Sequence, residues 1–224
     1  MTAPLALLRL LQSSDSAFPS GGFAFSNGLE TLCAEGLVGT PDAIETVLRE
    51  QVLPRWLDFD RYFLAAAHGA AADVQALAAL DRDCEAHNTV APLADASRRM
   101  GRALLTSHDR IGTPGAAAHL ARLRDGAAPG HAPVVQGLVG AGLGLSRAET
   151  EAGAVHALAA GYTGAAIRLG RLGALGAQQV LARTIAAAAP RLEAPPPEVP
   201  AAFAPLVDIA AARRGAHAVT LFAT

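Results

Sequence analysis

Apolar positions recur along this chain at helical spacing, and strand spacing is almost absent. After Thr40-Pro41-Asp42, the residues Ile44, Val47, Leu48 and Val52 fall on one side of a helix; after Ser146-Arg147-Ala148-Glu149, Val155, Leu158, Tyr162 and Leu169 do the same. The starts are signalled as clearly. Thr40-Pro41 and Thr113-Pro114 place a capping hydroxyl before a proline whose missing N–H costs nothing in a first turn, and Ser146 with Glu149 has the form of a capping box. No segment alternates apolar and polar residues between turn dipeptides, so strands are not expected. The spacing predicts helices over 4–12, 24–35, 41–53, 55–69, 73–86, 92–111, 114–125, 132–145, 147–170, 174–189 and 205–214. This is an all-α chain, a single-domain bundle of about ten helices spanning 1–224.

Three segments break the pattern. Residues 13–23 combine hydroxyls, a proline and a glycine pair into a structured loop. Residues 190–200 contain Pro195-Pro196-Pro197 and read as a stiff connector. Residues 215–224 form a C-terminal tail ending in Leu221-Phe222-Ala223-Thr224.

Composition fits a globular bundle and removes several functions. Of the 224 residues, 51% are hydrophobic, enough for one sizeable core and too few residues for two full domains. Alanine is abundant, which lets helix axes approach closely while each helix buries less area. The net charge of -2 provides no cationic footprint for nucleic acid. Every cation is arginine, so a Walker-type phosphate loop and a Schiff-base mechanism both lack their lysine. Cys33 and Cys84 lie far apart and outline neither a disulfide framework nor a thiolate metal site; they suit a reducing cytoplasmic setting. The opening residues lack a basic n-region, and Arg9 interrupts the apolar run, so no export signal is expected.

The densest chemistry lies in the first loop. Phe18, Phe23 and Phe25, three of the seven phenylalanines, surround Gly21-Gly22 and precede Ser26-Asn27-Gly28-Leu29-Glu30. Such a cluster must pack either against the bundle or against a partner, because exposed aromatics otherwise cost solubility. Glu30 can complement a helix dipole or offer its charge to a partner, and the second is preferred. Catalysis finds little support. Ser107-His108-Asp109 are consecutive on a helix, about 100° apart, and cannot line up as nucleophile, base and orienter. Asp58 with Asp60 and Asp81 with Asp83 stand two apart on different helix sides and read as solvated faces. No catalytic residue and no bound cofactor is expected. Of the seven histidines none pairs within a helical turn, so no local metal site is outlined; His131 and His217 are the candidates for a site assembled across the fold.

The run Ser14-Asp15-Ser16-Ala17-Phe18-Pro19-Ser20-Gly21-Gly22-Phe23, followed by Ser26-Asn27-Gly28-Leu29-Glu30, closely resembles the opening signature of the urease accessory protein UreF family. His131-Ala132-Pro133-Val134-Val135-Gln136-Gly137 is similar to that family's His-Pro-Val-Val-x-Gly segment, and Ala165-Ala166-Ile167-Arg168-Leu169-Gly170-Arg171-Leu172-Gly173 to a third family run. Arg171 stands where the family usually has proline, and Arg168 where it commonly has lysine. The tail keeps Leu221-Phe222 without the family's preceding His-Glu and Tyr.

The resemblance implies a non-enzymatic, all-helical accessory protein of urease maturation. It would link a UreD/UreH-type accessory protein to the nickel-carrying GTPase UreG and dock with them on apo-urease, as a homodimer. It implies a partner-binding surface made of Phe18, Pro19, Gly21, Gly22, Phe23, Ser26, Gly28 and Glu30, with Leu221 and Phe222 of the tail ordering against the UreD/UreH-type partner. Arg168 would lie near the surface offered to the GTPase. The alternative is a nickel-binding metallochaperone in its own right.

Overall fold

In a computed structural model, which describes residues 3–216 and 221–223, the chain forms ten helices and, among those residues, no strand. They are α1 (Ala3–Ser14), α2 (Leu29–Ala34), α3 (41–69), α4 (Val74–His87), α5 (Ala91–Arg110), α6 (Ala116–Arg124), α7 (Ala132–Gly142), α8 (Arg147–Arg168), α9 (Ala174–Glu193) and α10 (Pro205–Arg213). The expected caps are in place. Thr40 accepts the Ala43 N–H at the start of α3, and Ser146 with Glu149 closes a capping box at the start of α8.

Three boundaries differ from the sequence expectation, each for a local reason. The break expected near Pro54 is absent: α3 runs through it by widening into π-turns at Leu48–Val52 and Trp56–Asp60. The wider turns relieve the ring of the clash and of the N–H it lacks. In place of one helix over 24–35, α2 begins only at Leu29, because Asn27 (φ 50°) and Gly28 (φ 78°) are left-handed. Finally, α9 passes through Pro190 to Glu193, so the proline connector starts later than residue 190.

Arg61 explains that last extension. Its guanidinium donates to the carbonyls of Arg191 (2.8 Å), Leu192 (3.1 Å) and Ala194 (2.6 Å), the acceptors that a helix C-terminus leaves open. Its Nε meets the Glu151 carboxylate of α8 at 3.0 Å, and both side chains are buried. One side chain on α3 thus ties together α8, the end of α9 and the connector.

The core has three adjoining parts. Leu32, Ile44, Leu48, Tyr162, Val180 and Val207 join α2, the first half of α3, α8, α9 and α10. Phe59, Phe63, Leu105, Leu120 and Leu138 join the second half of α3 with α5, α6 and α7. Trp56, Leu57, Leu64, Val155 and Ala188 bridge them along α8. Each fully buried large side chain contributes about 1.5–3 kcal/mol. Small residues set the spacing: a Cβ on Gly137 of α7 would lie 2.3 Å from the Leu64 carbonyl oxygen of α3, so these helices touch backbone to backbone. Cys33 and Cys84 are both buried thiols. Among the described residues, no helix is long and apolar enough to cross a membrane.

Candidate protein-docking surface

The loop between α1 and α2 is held by turn bonds of its own and by a bond from α5. Asp15 accepts the Ala17 N–H (2.6 Å), the Ser107 hydroxyl of α5 donates to the Pro19 carbonyl (2.9 Å), and Gly22–Ala24 forms a 3-10 turn. Gly21 is required at the apex. Its φ is 78°, and a Cβ there would come within 2.8 Å of the Ala103 Cβ. Ser26 is buried and its hydroxyl accepts the Glu30 N–H (3.3 Å), while Gly28 lies against Val207 and Ala210 of α10.

The phenylalanines of this loop divide between interior and surface. Phe25 is buried, with the Arg99 guanidinium 5.5 Å from its ring centre. Phe18 is half-buried against the second part of the core, its ring 5.0 Å from that of His108. Phe23 is 73% exposed and lies over Arg168.

Arg168, in the last turn of α8, holds this surface together. Its guanidinium carbon is 3.7 Å from the Phe23 ring centre and 4.2 Å from that of Phe222, and Nη1 donates to the Phe23 carbonyl at 2.5 Å. Aromatic faces attract a cation, so the charge is satisfied without a carboxylate. Glu30 completes the arrangement from α2, its carboxylate accepting the N–H groups of Leu221 (2.5 Å) and Phe222 (3.1 Å). The Ala223 N–H donates to the Ala24 carbonyl (2.7 Å), and Arg214 donates to the Phe222 carbonyl (2.5 Å). Phe222 is therefore buried, whereas Leu221 next to it is 70% exposed.

The structure thus gathers Phe23, Glu30, Arg168, Leu221 and Phe222 into one face, with Ile167 exposed beside them. Phe18 and Pro19 lie at the far end of the loop on α5, and Ser26 and Gly28 shape the backbone from inside. What the sequence did not reveal is that Glu30 binds backbone N–H groups of the tail, about 190 residues away in the chain.

Beneath the loop and α1 lies a cavity of about 630 Å³, with Leu10, Met100, Gln136 and Leu143 among its walls. His108, His156, Asp15 and Asp60 also reach it, yet among the described residues no three His, Cys, Asp or Glu side chains gather as a metal site. His108 bonds Thr113 (2.9 Å) while Ser107 bonds carbonyls, so these neighbours serve different partners. Burial lowers the His108 imidazole to about 4, which keeps it neutral.

His131 is fully buried and faces Ser97 (3.1 Å) and Glu85 (2.6 Å); His217 lies outside the described residues. Asp81 is not on a solvated face as its spacing suggested. It is fully buried, because its carboxylate accepts the Gly130 (2.6 Å) and His131 (2.8 Å) N–H groups that turn the chain into α7. Asp58 is half-buried and bonded to Arg191 at 2.5 Å, and Asp60 is not on a solvated face either, being more enclosed and paired with Arg55 at 3.1 Å.

Known proteins resemble this chain over most of its length. The model of the UreF family matches residues 38–185, a stretch that includes Arg168 and lies between the aromatic loop and the tail. The urease accessory protein UreF of Trichodesmium erythraeum is 32% identical over 192 residues, covering 80% of this chain and 78% of its own. Urease accessory protein UreF 1 of Brucella melitensis is 34% identical over 219 residues, covering 92% and 88%. The urease accessory protein UreF of Actinobacillus pleuropneumoniae is 28% identical over 175 residues, covering 77% of each.

Proposed function

The chain belongs to the UreF family of urease accessory proteins, and from that premise we propose that it is a non-enzymatic scaffold of urease maturation. In this reading it joins a UreD/UreH-type accessory protein to the nickel-carrying GTPase UreG and presents them to apo-urease. It works in the cytosol, as a homodimer, and nickel is cargo that its partners carry.

The observation that carries the reading is the face around Arg168. Phe23 and Leu221 are largely exposed, Ile167 adjoins them, and an arginine lies between two rings at their centre. Aromatic residues and arginine dominate the energy of protein interfaces, and an apolar patch with a polar rim costs solubility unless a partner covers it. Among the described residues, Ser107 and His108 bond different partners and do not compete with this use as nucleophile and base.

Co-purification tests it. Phe23→Ala combined with Arg168→Ala should remove the UreD/UreH-type or the UreG partner from complexes formed by the unmodified chain and leave urease short of nickel, while helix content stays unchanged. Complexes and nickel content equal to wild type in that double variant would refute the docking role of this face.

A further inference from the structure

The tail seated on this face is bound as a ligand is bound. Leu221 and Phe222 present two successive N–H groups to one carboxylate, Glu30; Ala223 adds a backbone bond to the Ala24 carbonyl; and the Phe222 ring enters the first part of the core beneath Arg168. Backbone hydrogen bonds together with one pocketed side chain are how grooves take up peptides. Of the three described tail residues, only Phe222 is buried. Withdrawing it would release a carboxylate, a guanidinium and a phenyl-sized slot together, without unwinding a helix.

We propose that Ala24, Glu30 and Arg168 form a peptide-binding groove whose resident ligand is the chain's own Leu221-Phe222-Ala223, and that this segment is a removable cover. The groove reads two consecutive N–H groups, the second on a residue with an aromatic ring. With the cover seated, Arg168 is held between Phe23 and Phe222 while Phe23, Leu221 and Ile167 project; with the cover lifted, the same groove accepts an aromatic-bearing peptide in trans. This rests on the reading of the face as a docking surface, yet its test needs no partner protein.

A labelled synthetic peptide with the sequence of residues 215–224 is titrated into the full-length Phe222→Ala chain and into the unmodified chain. Binding at least tenfold tighter to the variant is expected, with loss of binding when Glu30→Gln is added or when the peptide itself carries Phe222→Ala. Equal binding to both chains, or none to either, overturns the groove. Hydrogen exchange of the unmodified chain keeps the question open to refutation should the variant fold poorly: the Leu221 and Phe222 amides should exchange at least tenfold faster than the buried turns of α8. Exchange of these amides only together with α8 would mean that the tail is integral core and would end the proposal.

Discussion

Arg61 and Arg168 place the same side chain in opposite surroundings. Arg61 is closed in by the Glu151 carboxylate and by carbonyls at the end of α9, so every part of its fork has a fixed protein partner. Arg168 has two carbonyls, that of Phe23 and that of Gly164 on its own helix, and two ring faces, and one of those rings is 73% exposed. A buried guanidinium with a full set of acceptors is a fastener, because any movement would strand charges in a low dielectric. A half-buried guanidinium held by π faces, a loop carbonyl and a carbonyl of its own helix, with no carboxylate, can exchange the ring and loop contacts at small cost. The difference separates the region that keeps the bundle closed from the region that can meet other proteins.

The comparison breaks most visibly at Arg61. Arg61→Met leaves Glu151 buried with only the exposed Arg147 at 3.4 Å and strips the end of α9 of its donors, so a loss of about 3–5 kcal/mol is expected. Urea denaturation measures it, and a change below about 1 kcal/mol would mean that Arg61 fastens nothing.

Acid sharpens the contrast at the buried end of the loop, where Phe18 meets His108. The unfolded chain takes up a proton on this imidazole near its ordinary value of 6.5 and the folded chain only near 4. The unfolded state therefore binds more protons across that window, and stability falls as pH drops through it, by on the order of 3 kcal/mol in all. His108→Phe should flatten this part of the urea-midpoint profile, and a slope identical to wild type would remove His108 as its origin.

At Arg168 the smallest effect on stability is expected. Arg168→Ala should cost within about 1 kcal/mol, since a partly exposed cation–π contact contributes little more. Thermal unfolding checks it. A loss as large as that of Arg61→Met would erase the distinction between fastener and docking surface.

Much of this arrangement was legible along the chain. Thr40, Ser146 and the spacing of Ile44, Val155 and Tyr162 specified helices with one buried face, since caps and periodicity act between near neighbours. The aromatic loop stood out because three phenylalanines beside Gly21-Gly22 have no local explanation. The helix ends at Pro54, Leu29 and Pro190 were misplaced where a left-handed pair, a π-turn or a distant arginine overruled the local rule. Asp81 read as a surface residue because its acceptors' partners, Gly130 and His131, are about fifty residues away.

The sequence alone determined the helical class, the approximate elements and the family resemblance, because each rests on short-range pattern or on contiguous motifs. Only the tertiary structure decided which arginine is sealed and which is presented, and that Glu30 receives the tail. Those outcomes depend on contacts between residues far apart in the chain, where burial and the surrounding dielectric, more than residue type, fix what a charged side chain does.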